Sequence, residues 1–170
     1  MSCTVWLTGL SGSGKSTLAQ ALQLELKAQG RACAVLDGDV LRAGLCRDLG
    51  FSAADRSENI RRVAEVARLF NCAGSIAIVA LISPLQSYRA QARCIIGEEN
   101  MVEVHVAAPL TVCEARDPKG LYQRARLGDI PEFTGVSAPY EAPQKPDLVL
   151  DTSILSIREC LDRLLRSLAS

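Results

Sequence analysis

Two spacings of hydrophobic residues alternate along the chain. Thr4-Val5-Trp6-Leu7, Cys33-Ala34-Val35-Leu36, Val102 to Val106 and Leu148-Val149-Leu150 are short apolar, β-prone runs and predict strands. Ile76 to Ile82 is apolar without a break, as expected of a central strand covered on both faces, and Ser83-Pro84 ends it. Between these runs apolar residues recur every three or four positions. Leu18, Ala19, Leu22 and Leu26 predict a helix that stops at Gly30. Ile60, Val63, Ala67 and Phe70 form the stripe of a longer helix over 52–70, with Ser52 as its N-cap, Asp55 in its acid-favouring first turn and Gly74 closing it. Tyr88 to Ile96 and a short segment from Pro109 through Arg116 read as helices. A last helix starts at the capping box Ser156-Ile157-Arg158-Glu159 and repeats Leu161, Leu164, Leu165 and Leu168. Strands alternating with helices predict an α/β fold, a parallel sheet of about five strands flanked by helices.

One stretch breaks the alternation. Residues 117–146 hold Pro118, Gly120, Gly128, Pro131, Gly135, Pro139, Pro143 and Pro146, with Lys119, Arg124 and Arg126 among them. The segment is too long and too rich in breakers for a simple connection, and its basic residues predict a mobile lid over phosphates.

The phosphates themselves are expected at Gly9-Leu10-Ser11-Gly12-Ser13-Gly14-Lys15-Ser16, which fits G-x-x-x-x-G-K-[ST] in full, between a predicted strand and a predicted helix. Glycines let successive backbone N–H groups converge on phosphate oxygens. Lys15 supplies a mobile charge for the terminal phosphates, and the Ser16 hydroxyl suits a magnesium ion. Binding of a nucleoside triphosphate follows.

Bulk properties narrow the class. The 170 residues suit a single domain, 1–170, able to bury about 70% of its unfolded surface. Lys+Arg and Asp+Glu both total 19, so no overall field recruits nucleic acid or an acidic membrane. The seven cysteines are odd in number and lack metal-ligand spacing, which reads as reduced thiols of a cytoplasmic protein. Met1 runs straight into the first strand, so no targeting segment is expected, and the longest apolar run is far too short to span a bilayer.

In parallel sheets ligands gather beyond the carboxyl ends of strands. That singles out Asp37 and Asp39 after the second strand and Ser83 after the third. Two such carboxylates can hold magnesium through water, or one can take a proton from a hydroxyl nucleophile. Asp-Gly is also ordinary turn chemistry. Arg42, Arg47, Arg56, Arg61 and Arg62 could grip a doubly anionic substrate, or form a solvated helix face with i,i+4 pairs such as Arg61 with Glu65. Arg56 is expected at a ligand, and Arg62 and Arg68 at the surface.

Together these residues resemble the adenylylsulfate kinase (APS kinase) family of P-loop kinases. The matching segments are Gly9 to Thr17, Leu36-Asp37-Gly38-Asp39 with Arg42 and Gly44-Leu45, Arg47 to Phe51, Asp55-Arg56, Glu58 to Arg62, Ile82-Ser83-Pro84 and Arg89. They continue with Cys113 to Tyr122, Phe133-Thr134-Gly135, Pro139 to Pro143 and Leu150-Asp151-Thr152. The resemblance implies transfer of the γ-phosphate of ATP, with Mg2+, to the 3′-hydroxyl of adenosine 5′-phosphosulfate in sulfate activation, giving 3′-phosphoadenosine 5′-phosphosulfate and ADP. By position, Gly9, Ser11, Gly12, Ser13, Gly14, Lys15, Ser16, Thr17, Arg116 and Thr152 would hold ATP. Asp39, Arg42, Phe51, Arg56, Asn59, Ile82, Ser83, Lys119 and Phe133 would hold the sulfated nucleotide, with Phe51 and Phe133 sandwiching its adenine. Lys15, Asp37 and Ser83 would serve the transfer, and Ser16 and Asp37 the metal. Asp37 would act as base or metal organiser. Ser83 matches the serine proposed in the family as a phosphorylated intermediate, and reads here as a hydrogen-bonding group for the substrate. A homodimer is also implied. Among the departures from the family pattern, Cys46 replaces a frequent Asn, and Pro131-Glu132 stands where Lys-Gly is frequent. The alternatives are another small P-loop kinase, acting on shikimate, gluconate or a nucleoside monophosphate, and a nucleotide-dependent switch without catalysis.

Overall fold

The computed structural model describes residues 2–169, so Met1 lies outside the described residues. Five strands, β1 (Thr4–Thr8), β2 (Cys33–Asp37), β3 (Ile76–Ala80), β4 (Met101–Val106) and β5 (Leu148–Leu150), form one parallel sheet in the order β2-β3-β1-β4-β5. The central strand β1 is therefore buried on both faces and along both edges, which is why its residues are apolar or threonine.

Alternation along the strands sorts side chains into two cores. Val5, Leu7, Ile76, Ile78, Val104, Val106 and Leu150 face α1 (Lys15–Ala28) and α7 (Ile157–Ser167), against Leu18, Leu22, Leu26, Leu161 and Leu164. Trp6, Ala77 and Val79 face the opposite side, against Ile60, Val63 and Ala67 of α3 (Ala53–Cys72) and Tyr88, Ala92 and Ile96 of α4 (Gln86–Ile96). Local signals fix the helix starts. The Ser52 hydroxyl accepts from the Asp55 N–H, and Ser156 and Glu159 form the expected capping box.

Four differences from the sequence reading bear on the site; elsewhere ends shift by one or two residues, as where α3 runs to Cys72 rather than Phe70. β3 ends at Ala80 rather than Ile82, because the chain turns through a left-handed Ser83. Asp37-Gly38-Asp39 starts a short helix, α2 (Gly38–Ala43), since the Asp37 side chain caps the Asp39 N–H. α4 begins at Gln86, two residues early, where the Glu141 carboxylate accepts from its N–H. The 117–146 segment contains a helix, α6 (Leu121–Arg126), after α5 (Leu110–Arg116). α6 buries Tyr122 and Ala125 with Ala108, Cys113 and Phe133, a third small core apart from the sheet.

The only histidine, His105 on β4, lies beside Tyr140, with ring centroids 6.0 Å apart. Burial, and next the Arg89 guanidinium, lower its pKa from the ordinary imidazole value of 6.5. The unfolded chain then binds the proton more readily than the folded one, so stability rises with pH between the lowered value and about 6.5, and is flat above. We expect the single imidazole signal in a proton NMR titration to move with a midpoint below 6.5; a midpoint at or above 6.5 would contradict this environment.

Candidate active site

The carboxyl edge of the sheet opens into a cavity of about 1040 Å³ whose walls are the P-loop, α2, the start of α3, the turn after β3 and the 117–146 segment. On its nucleotide side, Gly14 at φ 101 is the N-cap of α1 and offers no side chain to the first-turn N–H groups; no acidic residue stands in that turn either. An uncapped 14-residue helix therefore presents its free donors and positive dipole end to the cavity. Gly12, at φ 75, has the Cys113 carbonyl oxygen only 2.9 Å from where a Cβ would stand, so no other residue fits there.

Lys15 is buried and folded back on the loop, its Nζ donating to the carbonyls of Gly9 (2.8 Å) and Leu10 (2.7 Å). Burial pulls its pKa down to about 8, so it is mostly charged at neutral pH and loses that charge as pH rises past that value. Ser16 Oγ donates to Asp37 Oδ2 at 2.6 Å, and Asp37 Oδ1 accepts from the Asp39 N–H. A hydroxyl beside a half-buried carboxylate is an all-oxygen pair that fits magnesium, a hard cation usually bound by one or two protein oxygens together with phosphates and water.

Several expected nucleotide residues lace the loop to its surroundings. The Arg116 guanidinium donates to the Gly12 and Thr152 carbonyls and to Thr152 Oγ1, while Thr152 Oγ1 donates to the Ser13 carbonyl at 2.6 Å. Ser11, Gly12, Gly14, Ser16, Thr17, Arg116 and Thr152 line the cavity; Gly9 and Ser13 do not. Gly9 acts through its carbonyl on Lys15, and Ser13 is buried with an unpaired hydroxyl.

On the opposite side the arginines separate into two kinds. Arg61 pairs with Glu58, not with Glu65 as the helical spacing suggested; Arg62 pairs with Glu58 and Asp48, and Arg68 with Glu65. Arg42 and Arg56 form no ion pair among the described residues. Arg42 donates to the Gly50 carbonyl and stacks 4.3 Å over the Phe51 ring. Arg56 donates to the carbonyls of Phe51 and Glu132, at 2.8 Å each, and to Thr134 Oγ1. Both line the cavity, so two uncompensated guanidinium charges face one space, as an anionic ligand requires. Asn59 Oδ1 is buried beside them without a donor.

The two phenylalanines differ. Phe51 is 60% exposed, whereas Phe133 is 8% exposed and packs edge-on against Tyr122, with centroids 5.1 Å apart. Lys119 forms an ion pair with Asp39 that joins the 117–146 segment to α2. Ser83 is 2% exposed, and its hydroxyl accepts from Trp6 Nε1 and donates to the Leu81 carbonyl. Trp6 and Tyr122 were not singled out from the sequence. Tyr122 donates to the Ser11 carbonyl at 2.8 Å, fastening α6 to the P-loop. In the sequence its mark is its place at the end of the matching segment Cys113 to Tyr122, which gives no hint of a bond to the P-loop.

The sequence pattern of the adenylylsulphate kinase family matches residues 1–151. The chain is 58% identical over 166 residues to an adenylyl-sulfate kinase of Paraburkholderia xenovorans (strain LB400), covering 98% of this chain and 92% of that protein. Its structure is similar to that of the Mycobacterium tuberculosis APS kinase CysC in complex with AMPPNP and APS, with a TM-score of 0.96, 47% identity and coverage of 99% and 98% of the two chains. It also resembles the hexameric APS kinase from Thiobacillus denitrificans, with a TM-score of 0.75 and 37% identity, covering 99% of this chain and 29% of that one.

Phe133→Ala removes a buried ring from the small 117–146 core, a change that costs roughly 3–5 kcal/mol in a well-packed site. We expect limited trypsin digestion to cut faster after Arg124 and Arg126 in this variant, while the exposed Phe51→Ala leaves the rate unchanged; equal rates for both variants would show that Phe133 does not hold the segment.

Proposed function

The chain belongs to the adenylylsulfate kinase family, and from that premise we propose how the cavity serves the family's reaction. The protein transfers the γ-phosphoryl group of ATP to the 3′-hydroxyl of adenosine 5′-phosphosulfate, giving 3′-phosphoadenosine 5′-phosphosulfate and ADP. The observation that carries this reading is one cavity with free helix N–H donors at one end and the unpaired Arg42 and Arg56 beside Phe51 at the other.

In this reading the N–H groups of Gly12 to Thr17 cradle the ATP phosphates, and Lys15 leaves the Gly9 and Leu10 carbonyls for the terminal ones. Ser16 and Asp37 would hold Mg2+, which supplies charge neutralisation at the transferred group. Arg42 and Arg56 would take the phosphosulfate, with Asn59, Ile82, Ser83 and Lys119 completing that side and Asp39 reached through Lys119. The exposed Phe51 ring would stack on the adenine, and Phe133 would close over it from the small core. The 3′-oxygen then attacks the γ-phosphorus as the bond to the β-phosphate oxygen breaks. ADP leaves, and the hydroxyl proton passes to Asp37, held in place by Ser16 and the Asp39 N–H. Residues 117–146 would act as the lid, within one domain spanning 1–170.

No helix among the described residues is long and apolar enough to cross a membrane. We place the protein in the cytoplasm, which suits its seven free cysteines and its use of ATP. We expect a homodimer, although one similar protein is hexameric; light scattering of the purified chain decides between them.

Adenylylsulfate should support rapid ADP release with ATP and magnesium, and AMP, shikimate and gluconate should not; comparable rates with any of these would sink the assignment. Lys15→Ala should lower kcat by at least about a hundredfold in a folded protein, because electrostatic stabilisation dominates phosphoryl transfer.

Asp37→Asn tests the proton and metal role. It should depress kcat more than either KM, since those interactions matter chiefly in the transition state. Steady-state kinetics showing the loss mainly in KM would move Asp37 out of that role.

A further inference from the structure

Trp6 occupies the middle of the central strand, fully buried, and its single polar atom finds one partner outside the sheet: indole Nε1 donates to Ser83 Oγ at 3.1 Å. Ser83 holds φ 39, in the left-handed region that side chains other than glycine occupy only when their surroundings hold them there. Those surroundings are explicit. The Ser83 hydroxyl donates to the Leu81 carbonyl at 3.3 Å, and the Ser83 carbonyl accepts from Arg89 Nη1 at 2.8 Å. Thr8 Oγ1, two residues beyond Trp6 on the same strand, donates to the Ile82 carbonyl at 2.7 Å.

We propose that Trp6 is a positioning residue for the phosphoryl acceptor: its indole N–H pins Ser83 in the left-handed turn that shapes the Ile82–Pro84 wall of the cavity, and Ser83 contributes through that backbone shape rather than as a carrier of phosphate. This rests on adenylylsulfate as acceptor, which the wild-type turnover measurement tests separately. The hydroxyl already uses its proton on Leu81 and a lone pair on Trp6. Turning it toward a phosphate would leave the buried indole N–H unpaired, a cost that nothing nearby offsets. The same turn is tied to the far end of the lid. Arg89, buried and paired with Glu103, donates to Ser83 and also to the Glu141 carbonyl at 2.7 Å, and the Glu141 N–H donates to the Pro84 carbonyl. A Ser83 turn that relaxes therefore loosens the acceptor wall and the root of the lid together, while the P-loop, at the other end of the cavity, keeps its own supports.

Trp6→Phe keeps an aromatic ring and removes the N–H. The KM for adenylylsulfate should rise roughly three- to tenfold, the effect of one lost hydrogen bond, with the KM for ATP nearly unchanged. Ser83→Gly should retain more kcat/KM for adenylylsulfate than Ser83→Ala, because glycine adopts positive φ without strain. In the Ser83→Gly background, Trp6→Phe should add little, since the hydroxyl through which it acts is gone. The proposal falls if Trp6→Phe lowers only the melting temperature, if it shifts both KM values equally, or if its effect is the same with Gly at 83. It falls equally if the alanine variant matches or exceeds the glycine one, a ranking that decides the matter even where Trp6→Phe does not fold. Kinetically competent phosphoserine at 83, sought by mass spectrometry after rapid quench with ATP, also overturns it.

Discussion

The N–H groups at the start of α1 must stay without protein partners if they are to take phosphates, and much of the site follows from that requirement. A helix of this length ordinarily gains about 1 kcal/mol from a side-chain N-cap; α1 has glycine there instead and forgoes it. The loop before it has to hold its shape by other means. Arg116 and Thr152 bond its carbonyls from one side, Tyr122 bonds the Ser11 carbonyl from another, and Lys15 bonds Gly9 and Leu10 from within. All of these spend the loop's acceptors; among its donors the Ser13 N–H is turned in to the Leu10 carbonyl, while the first N–H groups of α1 meet no side-chain cap. The contrast with α3 and α7 is instructive, because both carry full side-chain caps and neither offers its N-terminus to the cavity through free donors.

β1 couples this nucleotide end to the acceptor end. The strand runs directly into the P-loop, while Trp6 and Thr8 on it reach the turn after β3. Because β1 sits between β3 and β4 with parallel pairing on both sides, it has no freedom to shift register without moving the whole sheet. The distance between donor and acceptor sites is then fixed by the stiffest element in the molecule. α5, α6 and the Phe133 segment have a small core of their own, and polar links such as Lys119 to Asp39 and Arg56 to Glu132 join them to α2 and α3. Such links break and reform at less cost than apolar packing, as the proposed lid would need.

The five strands, the long helices and the P-loop were legible because each rests on a local pattern, a short apolar run, a period of 3.6, a glycine spacing or a capping box; the order β2-β3-β1-β4-β5, set by pairing between strands distant in sequence, was not. What escaped was set by partners distant in sequence. α2 has no signal in the sequence, where Asp-Gly is as much turn chemistry as a site; it forms because the Asp37 carboxylate, at the strand end and bonded by the Ser16 hydroxyl, accepts from the Asp39 N–H. α6 is six residues between glycines, below the length at which periodicity is informative, and it exists because Tyr122 finds Phe133 and the Ser11 carbonyl. Helical spacing offered Arg61 both Glu58 and Glu65, and the choice of Glu58 depends on Arg62 and Asp48 sharing that carboxylate's surroundings. Trp6 could be placed in a strand but not beside Ser83, 77 residues away.

The Pro131-Glu132 departure can now be given a physical meaning. Glu132 holds φ 52, the backbone region that glycine occupies freely and other residues enter at about 1–2 kcal/mol. A frequent glycine at this place in the family pattern is thus explained by backbone shape, and glutamate here is strained. What the site takes from residue 132 is its carbonyl, which accepts from Arg56, and any amino acid supplies that. Pro131 limits the backbone just before the strained residue and so lowers the entropy lost on forming the turn. Arg56 bonds at the same time to the Phe51 carbonyl and to Thr134 Oγ1, so that its partners Glu132 and Thr134 lie on either side of Phe133. One guanidinium therefore links the loop before α3 to the 117–146 segment, and the carboxylate of Glu132 is not part of that link. The departure therefore acts on this segment through backbone strain at Glu132, while the contact to Arg56 is kept.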